Sequence, residues 1–76
     1  MARLYGKLRG LMHEFGDTQD DLARALLLAR VSVSNRMRGK QEWKLCEMYA
    51  LMDRYNVPYD RLHEVFPKDG KTDYMR

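Results

Sequence analysis

The stretch from Thr18 to Lys40, TQDDLARALLLARVSVSNRMRGK, restricts the fold more than any other part of this chain. Its apolar residues fall at Leu22, Ala23 and Leu26, then at Leu28, Val33 and Met37. These are two short helical stripes with a break in register between them, and two helices joined by a tight turn satisfy both. The second segment carries Arg30, Ser34, Asn35, Arg36 and Arg38 on the sides its apolar stripe leaves free. Such side chains suit DNA base edges and phosphates.

Local signals place the ends of these helices. Thr18 is a good N-cap, and Asp21 three positions later resembles the acidic half of a capping box. Asp20 and Asp21 also complement the positive end of the helix dipole, a structural reading that outweighs a catalytic one. The turn, near Leu27 to Ala29, is less conventional: no glycine supplies a positive φ, and Ala29 has no side-chain oxygen to cap the helix behind it. Local strain of about 1 kcal/mol is expected there, with Leu28 plugging the core beneath. The following helix should run from Ala29 or Arg30 to Arg38 and stop at Gly39. Val33 and Met37, four apart, point inward, which leaves Arg30, Val31, Ser34 and Asn35 towards the exposed, N-terminal side. An exposed Val31 has no structural purpose of its own, but it would have one against a thymine methyl.

Leu4, Leu8, Leu11, Met12 and Phe15 repeat at helical spacing and predict an amphipathic first helix. Gly6 and Gly10 weaken it by roughly 1 kcal/mol each relative to alanine; they either admit a neighbouring backbone or are tolerated at the surface. Gly16 sits where a left-handed helix end would want it. Leu45, Met48, Leu51, Met52 and Tyr55 mark a fourth helix over roughly Lys44 to Tyr55, with Trp43 as a lid on the core ahead of any base-stacking role. Pro58 is placed to open a short fifth helix contributing Val57, Leu62, Val65 and Phe66, ended by Pro67. Residues 1–67 therefore read as one domain and residues 68–76 as a polar, mobile tail.

At 76 residues there is room for one hydrophobic core and little for a large catalytic cleft. Hydrophobic residues at 45% and charged residues at 33% describe a soluble globular domain. The longest apolar run, Ala25 to Ala29, is too short to cross a bilayer, and MARLYGKLRG lacks a secretory core and cleavage site, so cytoplasmic residence is expected. Cys46 is the one cysteine, and His13 and His63 stand at no metal-ligand spacing from it, so no metal or other cofactor is expected. The net charge of +3 matters less than its distribution. Arg30, Arg36, Arg38, Lys40 and Lys44 face one acid, Glu42, whereas Glu14, Asp17, Asp20 and Asp21 cluster upstream. A basic face opposite an acidic one points to a polyanion bound in a defined orientation.

The order of features resembles the helix-turn-helix family of phage Cro and repressor proteins, the xenobiotic response element family, over about Leu4 to Phe66. The most specific part is TQDDLARAL followed by VSVSNRMRGK, with its Thr-Gln opening, Leu-Ala pair, Val-Ser pair and closing Gly-Lys; EWKLCEM is similar to the lead into the fourth helix. The resemblance implies an all-α, five-helix, lambda-repressor-like DNA-binding domain whose helices 2 and 3 form the motif, helix 3 lying in the major groove. By position it implies base contacts from Arg30, Val31, Ser34 and Asn35. Phosphate contacts are implied for Gln19 and for Lys40 with its neighbours Arg38 and Lys44. Three residues depart from the family pattern: Leu27 stands for a small turn residue, Ala29 for a hydroxyl cap, and Arg36 for an apolar core residue. Met37 would take over the inward role and leave Arg36 for a phosphate.

The function expected is a sequence-specific regulator of transcription, a Cro-like repressor of phage or prophage type in the bacterial cytoplasm or nucleoid. It would bind a pseudo-palindromic double-stranded DNA operator as a homodimer, with recognition helices about 34 Å apart. Tyr59, His63, Phe66, Tyr74 and Met75, on the C-terminal helix and tail, offer a dimer surface. Arg30 suits guanine and Asn35 adenine, while Arg24, Arg54 and Arg61 read as solvated. The alternative is a protein-interaction module on the same fold, an antirepressor or antitoxin-like partner. An enzyme ranks third, because no nucleophile and base, phosphate loop or carboxylate dyad can be picked out; no small-molecule ligand is expected.

Overall fold

Four helices end in the same hydrogen-bonded motif, and these four corners set the path of the chain. The computed structural model describes residues 4–68 and residue 70. The helices are α1 (Gly6–Phe15), α2 (Gln19–Leu26), α3 (Arg30–Met37), α4 (Leu45–Arg54) and α5 (Leu62–Val65), the last preceded by a 3-10 turn, Tyr59–Arg61. Past α1, the Asp17 N–H donates to Met12 O at 2.7 Å; past α2, Leu28 donates to Ala23 O at 2.9 Å. Past α3, Lys40 donates to Asn35 O at 2.8 Å, and past α4, Val57 donates to Met52 O at 2.9 Å. Each closure requires a left-handed residue just before the donor. Gly16, Leu27, Gly39 and Asn56 fill that place, with φ of 74°, 58°, 80° and 56°. Three of the four are types that tolerate it; Leu27 is not.

Gly39 answers a second demand. A Cβ there would stand 2.7 Å from Leu4 Cδ1, so a larger residue would have to displace the tip of that side chain as well as bear the positive φ. Arg9 fixes the same junction by donating to Leu4 O at 2.8 Å and Met37 O at 3.1 Å. Gly10 faces open space, which favours surface tolerance over a close backbone crossing.

The core draws on every helix: Leu8, Leu22, Val33, Met37, Leu51, Met52 and Val65 are fully buried. Each such side chain contributes on the order of 1.5–3 kcal/mol relative to an exposed one. Trp43 covers this core as expected, edge-on to Tyr5 at 6.3 Å and to Phe66 at 5.4 Å. Three expectations change. The first helix opens at Gly6, not Leu4, because Tyr5 turns left-handed (φ 57°) and gives its N–H to Gly70 O at 2.6 Å. Leu45, expected inward, is 54% exposed, and its inward place on the first turn of α4 is taken by Glu47. Gly70 is buried against Leu4 and Tyr5, so packed chain continues past residue 67; residues 69 and 71–76 of the expected tail, with Tyr74 and Met75, lie outside the described residues.

Candidate nucleic-acid interface

Helix α2 starts as its sequence demands. The Thr18 N–H donates to Asp21 Oδ2 at 2.8 Å, and the Asp21 N–H donates back to Thr18 Oγ1 at 3.2 Å. This reciprocal box satisfies two otherwise orphaned donors and holds the Asp21 carboxyl below its usual range, chiefly through the hydrogen bond from the Thr18 backbone. Gln19 follows, half-buried, in the first helical turn.

Helix α3 is fixed from behind. Val33 and Met37 are buried completely, and α2 packs on α3 more extensively than any other pair of helices meets. What the core does not use is left outside: Arg30 and Val31 are exposed, Val31 at 61%, and Ser34 and Asn35 are half-buried. Arg38, Lys40 and Lys44 are exposed around the end of the helix and the connection to α4. Three of these polar heads are already engaged. Arg30 Nη1 reaches Asp20 Oδ1 on α2 at 3.1 Å, and Arg38 Nη2 donates to Asn35 Oδ1 at 3.2 Å.

Arg36 departs from expectation. It points into the protein, only 7% exposed, and meets Glu47 with two parallel bonds, Nε to Oε1 at 2.9 Å and Nη2 to Oε2 at 3.2 Å. Its Nη1 donates to Ser32 O at 3.1 Å and Gln41 Oε1 at 3.3 Å. Met37 does turn inward, but Arg36 is not thereby released to a phosphate: a guanidinium with its fork filled at a buried site is a structural strut between α3 and α4. The Lys44 N–H also donates to Glu47 Oε1, at 3.0 Å, so one carboxylate closes the start of α4 and anchors the end of α3. The signal for this was present, since a cation on a buried arc requires an acid, and Glu47 sits in the first turn of the next helix.

Arg54 was expected to be solvated and instead clamps Asp17, with bonds of 2.7 and 2.8 Å, while the Tyr55 hydroxyl donates to the same carboxylate at 2.7 Å. Asp17 is held below its ordinary 3.8, first by the hydrogen bond from Arg54. Tyr55 is pushed up, first by burial and then by Asp17. Arg24 pairs with Asp21 and Arg61 with Glu64, both at the surface. The upstream acids are thus largely committed within the protein.

Phe66, expected on a dimer surface, is buried beneath Trp43. The exposed apolar side chains that share a place are Leu45 and Tyr49, one turn apart on α4, with the Tyr59 ring 4.7 Å from that of Tyr49. His13, His63 and Cys46 are exposed, and among the described residues no group of three or more metal-ligating side chains comes together. Among the described residues, no helix is long and apolar enough to cross a membrane.

Residues 1–69 match a family described as a protein of unknown function (DUF739), and the chain belongs to that family. No curated protein matches it.

Proposed function

We propose that this member of the DUF739 family is a sequence-specific regulator of transcription that reads the major groove of double-stranded DNA with α3. One observation carries the reading: the core uses Val33, Arg36 and Met37, so the arc of α3 turned from the core is left with exposed Arg30 and Val31 and half-buried Ser34 and Asn35. Arg30 and Asn35 have partners in Asp20 and Arg38, but base edges give all four residue types a common purpose. Exposed Arg38, Lys40 and Lys44 follow in the chain and supply the counterion release that gives most of the affinity for any duplex. Gln19, at the positive end of α2, adds a phosphate contact. The resemblance to phage Cro and repressor proteins supports the same placement and favours repression by covering a promoter.

The operator would be a pseudo-palindrome read by a homodimer. The surface that best fits a second copy is the exposed face of Leu45, Tyr49 and Tyr59. The same face supports a second reading, an interaction module that contacts another protein and leaves α3 unused. Mobility shifts over a salt series, on fragments selected from random duplexes, separate the two. DNA reading predicts selected sites that outcompete random sequence and an affinity that falls steeply with salt. Binding no better than random at every salt concentration overturns it in favour of the interaction module.

A further inference from the structure

We propose that Asp20 is a positioning residue for Arg30 and so sets base preference at the position Arg30 faces; this rests on the DNA-reading function above. Asp20 lies in the first turn of α2 and Arg30 opens α3, and their pair crosses the helix-turn-helix with Nη1 to Oδ1 at 3.1 Å. Both side chains are more than half exposed, so the pair adds little to stability. Its consequence is directional. Asp20 occupies Nη1, which leaves the Nε and Nη2 edge of the guanidinium as the fork to present. That edge matches the paired N7 and O6 acceptors of guanine. A free arginine loses much rotamer freedom when it docks on a base, and a carboxylate that already holds it removes part of that cost. The acid also penalises wrong sequences. Away from a guanine, Arg30 no longer compensates fully for bringing a negative charge towards a polyanion, so Asp20 trades total affinity for selectivity.

The test is binding to duplexes randomised around the selected half-site, for the wild type, Asp20→Ala, Asp20→Asn, Asp20→Glu, Arg30→Ala and the Asp20→Ala/Arg30→Ala pair, with melting curves showing that each variant folds. The wild type should prefer guanine at one position of each half-site, and Arg30→Ala should lose that preference, about tenfold or more. Asp20→Ala and Asp20→Asn should weaken the same preference and no other, and should bind random duplex more tightly. Asp20→Glu should restore it in part. In the Arg30→Ala background, Asp20→Ala should leave base preference unchanged. A guanine preference untouched by Asp20→Ala overturns the proposal. So does a cytosine preference that depends on Asp20 and survives Arg30→Ala, since Asp20 would then accept from the base itself. A wild type that selects no sequence removes the DNA-reading function, and this proposal with it.

Discussion

Arg36 of α3 and Glu47 of α4 form a two-pronged ion pair with both side chains more than nine-tenths buried. The pair joins the end of α3 to the start of α4, so its loss should move α3 as well as weaken the fold. Removing one partner strands a buried charge: Glu47→Ala or Arg36→Ala should cost about 3–5 kcal/mol. Replacing both by apolar residues, Arg36→Met with Glu47→Leu, should recover most of that. Chemical denaturation of the four proteins checks it, and additive losses in the double variant would count against a coupled buried pair.

Leu27 is the bulky residue in a left-handed corner where Gly16, Gly39 and Asn56 fill the others, and it is 91% exposed. Glycine there relieves about 1–2 kcal/mol of backbone strain and returns part of it through a more flexible unfolded chain. Because the leucine buries almost nothing, Leu27→Gly should stabilise the protein by about 0.5–1 kcal/mol, read as a rise in Tm. A fall would mean that the flexibility glycine adds to the unfolded chain outweighs the strain it relieves.

The pH range of stability should be bounded on both sides by one cluster. Asp17 is depressed below 3.8 by Arg54, so its contribution is present above that value and lost as pH falls through the folded value. Tyr55 is raised above 10.0 by burial and by Asp17, so its contribution is present below 10 and lost as pH climbs beyond it. Asp21 and Glu64 are depressed too, and share the acid limb. Asp17→Asn should cost about 1–2 kcal/mol at neutral pH, discounted for the partial exposure of Arg54, and should flatten the acid limb in part. Tyr55→Phe should flatten the alkaline limb. Melting temperatures across pH 2–11 for the three proteins decide the matter.

The helices and three of their four corners were legible because short-range signals decide them: the Thr18 and Asp21 box, the glycines at 16 and 39, and the Val33 and Met37 stripe are each complete within a few residues. The strain at Leu27 and the uncapped Ala29 were legible for the same reason. What escaped is long-range. Arg36 reads outward from its own segment, and only Glu47, eleven residues on, gives it a reason to turn inward. Arg54 looks solvated until the loop before α2 brings Asp17 to it, thirty-seven residues away. Arg30 and Asp20 share a partnership that neither helix alone announces.

Within the exposed set, two kinds of cation should behave differently towards DNA. Arg30 stands at the N-terminal end of α3, where base edges would come within reach on the proposed reading, whereas Lys40 and Lys44 lie on the connection that would follow the backbone. Arg30→Ala should therefore cost about 1–3 kcal/mol on the selected site and much less on random sequence. Lys40→Ala and Lys44→Ala should weaken both kinds of DNA alike, each reducing the slope of log affinity against log salt by about 1. Val31→Ala should act as Arg30 does but leave the salt slope alone, because a methyl contact releases no counterion. If the lysine variants altered base preference and the Arg30 variant altered only the slope, α3 would be lying on the backbone and the connection after it would be the reading element.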